Sequence, residues 1–422
     1  MKNVLICLEQ LGIGGVETFT ITQVEEFNRR GIKCYVLSRD GILRERLNNK
    51  KNIEWIEFDF KLQDTIDYEQ VKKLEKIVVS KKIDVAYVHQ FPCVPYILPV
   101  LLKYKISYVA YLHNIVPKTC EWFMDTYIIY KMLFPIYFQC ASKIITIADK
   151  VKKEHINLFK LPEKKYMVVN NSLNFSDYPD KKIIKINMDF DNLLLFGRMS
   201  EEKRKSINTA IRFYKYIKEK YNKNVKLTVV GDGKILPEIK SMYEKYNIEF
   251  IGEVANVRPY IEKSDVLLGV DRCMLEAVAC KKPAIICGYK ENINLITPSN
   301  MEDVVAANFS GINLGSSEDE IFKYSEKELI SIIEENYKYV SKHLSIKNNV
   351  FLDVEKPSTK DLNLNEIIDT TNLYISKIKE LEQETKRLFE ENQELYSEIE
   401  INSKSILKKT INKITRKVKK VK

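Results

Sequence analysis

Gly12-Ile13-Gly14-Gly15-Val16-Glu17-Thr18 lies between an apolar run and a stretch of helical periodicity. Paired glycines in that setting let a backbone approach closely and leave free N–H groups at a positive helix terminus, which suits a diphosphate or another anion. A tight structural turn fits the same residues. His113 ends the apolar run YVAYLH in a chain with only four histidines. At a strand's carboxyl end an imidazole points toward a cleft and can hydrogen-bond a sugar hydroxyl or a group in transfer, although a core or capping histidine is equally compatible. His89, followed by Phe91 and Pro92, reads as packing.

Further along, Arg198 follows the apolar run LLLFG and Lys203 starts a helical stretch. Two long cations bracketing a strand-to-helix turn can neutralise a diphosphate leaving group. Gly231-Asp232-Gly233 reads as a turn that can abut a ligand. In Asp265–Gly288 an apolar strand ends near Val270, and a helix opens at Asp271 or Arg272 with its free N–H groups aimed into a cleft, a second seat for an anion. Glu276 lies four residues after Arg272, on one helical face. The pair could serve ribose and phosphate, or be an ordinary ion pair contributing about 0.3–0.5 kcal/mol.

The elements that must position these residues follow from periodicity. Residues 4–8, 33–37, 53–58, 84–89, 108–113 and 143–148 read as buried strands, with helices such as Glu17–Arg30, Tyr68–Ser80 and Cys120–Cys140 between them. Near-continuous apolar strands alternating with helices indicate a parallel sheet covered on both faces. A polar, Asn-rich stretch from Asn170 to Asn192 reads as a linker. The rhythm restarts with strands at 193–197, 226–231, 248–252, 265–270 and 283–288, and helices at 203–221, 234–246, 256–263, 272–281 and 326–343. Two Rossmann-like halves, 1–180 and 190–345, would face each other across a cleft, with ligands beyond the carboxyl ends of the strands. Residues 346–366 read as a connecting loop.

The end of the chain is different. Ile367, Tyr374, Leu381, Leu388 and Leu395 recur every seven residues, intercalated with Thr371, Ile378, Thr385, Asn392 and Ile399, as a coiled-coil seam requires. A homodimer through 367–402 is expected, the alternative being a solitary amphipathic helix docked on the body. The net charge is +10, and nine bases without one acid lie in Ser403–Lys422, leaving +1 for everything before it. A nucleic-acid-binding body is therefore a poor reading, while a basic amphipathic tail at 403–422 fits an anionic membrane surface better than a nucleic-acid arm or a merely solubilising end.

The eight cysteines are scattered, with no Cys-x-x-Cys pair, so neither a zinc site nor a disulfide framework is signalled. The apolar stretch before Glu9 is too short for a signal peptide or a membrane span. The expected location is cytoplasmic, peripheral on the membrane's cytoplasmic face.

In the order GGVET, AYLHN, FGRMSEEK, GDG and LEAVACKKPAII, the chain resembles the retaining glycosyltransferases of the GT-B fold, most closely glycosyltransferase family 4, over roughly residues 1–345. The resemblance implies an α/β GT-B architecture and transfer of a sugar from a nucleoside diphosphate donor to a saccharide or lipid-linked acceptor. It implies that Gly14 and Gly15 line the donor phosphates, that His113 contacts the transferred sugar, that Arg198 and Lys203 hold the diphosphate, and that Glu276 holds the ribose. No bound metal or other cofactor is implied, the nucleotide sugar being substrate. The chain departs from the family pattern at Leu268, where the first of two glutamates eight positions apart would stand. That departure keeps a second reading open, a non-catalytic GT-B scaffold that organises other glycosyltransferases.

Overall fold

The computed structural model describes residues 2–63, 66–113, 118–178, 180, 182–254 and 256–348, together with Gln383, Lys386, Arg387, Leu388, Glu390, Glu391 and Gln393. The first half is built on β1 (Asn3–Gln10), β2 (Lys33–Arg39), β3 (Ile53–Glu57), β4 (Val85–Val88), β5 (Ser107–Leu112), β6 (Lys143–Thr146) and β7 (Tyr166–Val168). They form one sheet in the order β3-β2-β1-β4-β5-β6-β7, every pair parallel. The second half holds β8 (Asn192–Phe196), β9 (Lys226–Val230), β10 (Ile248–Gly252), β11 (Val266–Gly269), β12 (Ala284–Cys287) and β13 (Ile293–Leu295) in the order β10-β9-β8-β11-β12-β13. Among the described residues, only β13 runs antiparallel, against β12. The first strand of each half sits mid-sheet and the order reverses beside it, which opens a crevice at its carboxyl end.

The reason for this architecture is visible in the burial. Val4–Leu8 of β1 and all of β4 and β5 are buried, as strands covered on both faces must be. Helices between them are amphipathic: Arg204–Lys220 buries Ile207, Ala210, Ile211, Phe213, Tyr214 and Ile217 on the side that meets β8, β11 and β12.

Two segments differ from the sequence expectation. Cys120–Cys140 is two helices, Lys118–Thr126 and Ile128–Cys140, because Tyr127 is extended between them. The β-branched residues Thr126, Ile128 and Ile129 there lose rotamer freedom in a helix. Asp149–Phe159 is a helix that carries too few apolar residues to announce itself, burying only Val151 and His155.

The halves are tied at their base. Leu173 N–H donates to Leu344 C=O and Ile346 N–H to Leu173 C=O, at 3.0 and 2.8 Å. Leu173 packs into the second half's core while Ile346 packs into the first half's. Asn171 also donates to Asn308 at 2.9 Å. Among the described residues, no helix is long and apolar enough to cross a membrane. Apart from the seven helical residues between 383 and 393, where Leu388 is exposed, the heptad run and the basic tail lie outside the described residues.

Candidate functional site

Every residue singled out in the first half stands just beyond a strand's carboxyl end. The loop after β1 carries Gly14, which precedes helix Gly15–Arg29 in an extended conformation. A Cβ on Gly14 would lie 2.1 Å from both Arg198 Nη2 and Glu17 Oε2, whereas one on Gly15 would meet open space. A side chain at Gly14 would therefore displace the ends of an ion pair that joins the halves: Arg198, after β8, places Nη2 3.6 Å from Glu17 Oε2. Glu17 is buried, and Gln90 Nε2 donates to its other oxygen at 3.0 Å. Burial pushes the Glu17 carboxyl above the usual range, against hydrogen bonds and the Arg198 charge that pull it down.

His113 follows β5 and His89 follows β4. Their ring nitrogens, His113 Nε2 and His89 Nδ1, share a hydrogen bond at 3.0 Å, one donating and the other accepting. Tyr111 stacks on both rings, at 4.3 Å from His89 and 5.4 Å from His113. Burial holds His113 down to about 3, so it works as a neutral imidazole. Burial also takes His89 well below its ordinary value, with His113 adding to the effect. His89 is thus packed against Phe19 and Tyr111, as a packing residue would be, and is also hydrogen-bonded to His113.

Arg198, Glu17, His89 and His113 line one cavity of about 260 Å³. It continues past Phe91 and Phe123 to Val151, Glu154, His155 and Leu158 of helix Asp149–Phe159.

In the second half, Lys203 Nζ lies 3.2 Å from Asp271 Oδ2, to which the Tyr289 hydroxyl also donates at 2.7 Å. Burial works against the Lys203 charge, but Asp271 holds the ammonium above the usual lysine range, and Arg198 is close enough to act on it. Asp271 precedes helix Arg272–Ala279 with φ 60° and ψ −143°, a region that L-residues rarely occupy, and its N–H donates to Phe309 C=O at 2.9 Å. Such a backbone costs on the order of 1–3 kcal/mol and persists only where surroundings over-determine it. Gly231 has φ +138°, and a Cβ there would lie 1.9 Å from the Gly197 carbonyl oxygen. Its lack of a side chain is explained by that crossing of two loops.

Arg272 and Glu276 stand apart from the cavity. Arg272 Nε donates to Glu276 Oε1 at 3.0 Å, Nη1 to Ser172 C=O at 3.1 Å, and Nη2 lies 3.5 Å from Thr22 Oγ1. The i,i+4 pair is present, and the guanidinium also links helix Gly15–Arg29 to the second half. Leu268 sits within β11, fully buried, so that position belongs to the core.

Sequence reasoning passed over Glu17, although it stands in the quoted GGVET stretch and its spacing from Gly14 carried the signal. Glu154 and His155 had no such signal, lying on a helix the periodicity did not reveal.

Residues 13–176 match the model of Glycosyltransferase Family 4, and residues 191–308 match that of Glycosyl transferases group 1. Among solved structures, the chain is similar to Anabaena HepE in complex with UDP-glucose, at 14% identity and TM-score 0.60, covering 90% of this chain and 99% of that one. It is similar to WaaG, a glycosyltransferase involved in lipopolysaccharide biosynthesis, at 15% identity and TM-score 0.53, covering 80% and 95%. A mutant of S. aureus TarM in complex with fondaparinux, alpha-GlcNAc-glycerol and UDP matches at 10% identity and TM-score 0.55, covering 89% and 99%. No curated protein matches the sequence.

Proposed function

Its two halves being those of a GT-B glycosyltransferase, the first of family 4 and the second of group 1, we propose that this chain is a retaining enzyme that moves a sugar from a uridine diphosphate donor to a saccharide or lipid-linked acceptor. The observation that carries the reading is that His113 from the first half and Arg198 from the second line one cavity. A sugar held there has a neutral imidazole beside its hydroxyls and a guanidinium where the diphosphate leaves.

The roles follow from the chemistry. Arg198 and Lys203 neutralise the developing charge on the diphosphate, with no bound metal required. The backbone at Gly14 and Gly15 approaches the phosphates, Gly15 leaving room on its open side. Glu276 accepts from the ribose hydroxyls. The acceptor hydroxyl attacks from the face that the diphosphate leaves and passes its proton to the departing phosphate oxygen, so configuration at the anomeric carbon is retained. UDP is the nucleotide of choice because the HepE and TarM structures hold it. WaaG acts in lipopolysaccharide biosynthesis, and a cell-surface polysaccharide or glycoconjugate is the product class favoured here. The enzyme would work at the cytoplasmic face of the membrane, held by residues 403–422, as a dimer through residues 367–402.

The test is donor binding with turnover. UDP-glucose at a hundred times its dissociation constant should stabilise the fold by about 2.7 kcal/mol, and UDP should be released. The buried Leu268 favours one competitor, a scaffold that binds nucleotide without using it. Binding without UDP release at high protein concentration would establish that competitor instead.

A further inference from the structure

Glu17 sits in the first turn of helix Gly15–Arg29 and is 3% exposed, where carboxylates are almost never found unless paired. Its two oxygens are served differently. Oε1 accepts from Gln90 Nε2 at 3.0 Å, and Gln90 is held in turn by the Glu9 N–H, which donates to its Oε1. Oε2 is buried without a hydrogen-bond partner. What it has is the charge of Arg198 Nη2 at 3.6 Å, beyond hydrogen-bond reach. That guanidinium comes from the other half, is 47% exposed, and among the described residues makes no other ion pair.

Little else there favours a negative charge. Glu9, at the end of β1, repels it, although Arg39 engages Glu9 at 2.7 Å. His89 and His113, which line the same cavity, are kept neutral by burial. The Glu17 N–H and Gln90 favour the ionised form, and burial outweighs them.

A Cβ on Gly14 would lie 2.1 Å from both Glu17 Oε2 and Arg198 Nη2. The Gly14 backbone, the carboxyl and the guanidinium therefore share one small space, the place given to the donor phosphates on the proposed function. A diphosphate that draws Arg198 to itself takes away the one opposite charge that faces Glu17 among the described residues, and sets like charge in its stead. A buried carboxylate left unpaired in that way binds a proton rather than stay ionised.

We infer that Glu17 is a donor-binding residue that works in its protonated form: the diphosphate takes Arg198 from it, Oε2 takes a proton from solvent, and the new O–H donates to a phosphate oxygen. The inference rests on the diphosphate-donor reading. The proton stays on the carboxyl while the donor is bound, so binding consumes a proton, and a fall in pH favours it. Oε2 then gains the hydrogen-bond partner that it lacks beside Arg198.

The test is titration calorimetry of the full-length protein with UDP-glucose, whose diphosphate diester does not itself titrate near neutrality, in PIPES, HEPES and Tris buffers from pH 6 to 8.5. The slope of observed enthalpy against buffer ionisation enthalpy counts protons. Within that range it should reach an uptake of about half a proton or more, and affinity should fall by up to about ten-fold per unit as pH rises. Glu17→Gln is neutral at every pH and can donate from its amide. It should bind UDP-glucose at least as tightly as the parent at pH 8, without uptake and with an affinity that is flat in pH. Difference infrared spectra should show the C=O band of a protonated carboxyl appearing on donor binding in the parent and missing in the variant. No uptake at any pH, or an uptake that persists in Glu17→Gln, overturns the inference and leaves Glu17 a latch between the halves. The buffer series on the unaltered protein decides even where the variant fails to fold. UDP-glucose binding without uptake sinks the role of Glu17 alone, whereas no binding of UDP-glucose sinks the donor reading from which it starts.

Discussion

Arg198 Nη2 stands 3.6 Å from Glu17 Oε2, so one ion pair spans the two halves at the mouth of the cavity. On the proposed function two anions compete for that guanidinium, the buried carboxylate and the donor's diphosphate. Glu17→Gln keeps the size and the contact with Gln90 but ends the competition. UDP should then bind about two- to five-fold more tightly, the worth of a partly exposed ion pair. Titration calorimetry reads this directly, and unchanged or weaker binding would show that Arg198 does not serve the phosphates.

The same substitution has a signature in pH. Burial raises the Glu17 carboxyl above its ordinary value, so its folded-state affinity for a proton exceeds the unfolded one. The stability it brings is complete below the usual glutamate value and is lost as pH rises through the raised one. Glu17→Gln should therefore match the parent in melting temperature near pH 4 and exceed it at pH 7.5. A difference that stays constant across that range would place the effect elsewhere.

The histidine pair predicts the opposite slope. His89 and His113 are held below their ordinary values by burial, His113 at about 3. Stability from the neutral rings is complete above the usual histidine value near 6.5 and is lost as pH falls toward the folded values. His113→Gln should flatten the acid limb of the melting curve between pH 6.5 and 4. It should also cut turnover while leaving UDP affinity intact, because on the proposed function the imidazole serves the sugar.

Much of this arrangement was legible in the chain, and the limits have physical causes. The helix Glu326–His343 follows from its period and from the Ser325–Glu328 capping box, both of which are local. Buried strands announce themselves by apolar runs, and the residue after each run lands at a sheet's carboxyl end, which is where His113, Arg198 and Asp271 stand. The Arg272 contact with Thr22 joins residues 250 positions apart, and nothing in either segment advertises it. The helix Asp149–Phe159 buries only two residues, too few for a period, so the far wall of the cavity stayed hidden. β13 is three residues long and antiparallel, shorter than any pattern that alternation can reveal.

Arg272 makes a sharper prediction than its sequence spacing did. An exposed i,i+4 pair is worth a few tenths of a kcal/mol, but this guanidinium is 8% exposed and bonded to Glu276 and Ser172 as well as lying against Thr22. Arg272→Ala leaves a mostly buried carboxylate alone and should cost about 3–5 kcal/mol of stability. Glu276→Gln keeps an acceptor for the arginine and should cost less, while weakening UDP if the carboxylate holds the ribose. A double-mutant cycle in both stability and UDP affinity separates the two roles. Coupling in stability alone would leave Glu276 a structural partner.

The last twenty residues connect charge to place of work. Ile406, Leu407, Ile411, Ile414, Val418 and Val421 recur at short helical spacing among nine bases, the composition of a helix that lies in a membrane interface. Each base near an anionic leaflet contributes about 1 kcal/mol at most, so nine offset much of the cost of ordering the segment. On the proposed function the upstream heptads, with Asn392 in a Leu-rich seam, would pair two chains and so double the basic tails on one surface. Two truncations separate these effects. A chain ending at residue 402 should sediment at the dimer's mass yet no longer bind anionic liposomes, and one ending at residue 365 should be a monomer. Added salt should weaken liposome binding of the full chain, because screening acts on exposed charge. Turnover on a soluble acceptor should survive both cuts, since Arg198 and His113 lie far upstream of either. Undiminished liposome binding by the chain ending at 402 would remove the tail's role, and would turn attention to the half-exposed Trp122 on helix Lys118–Thr126.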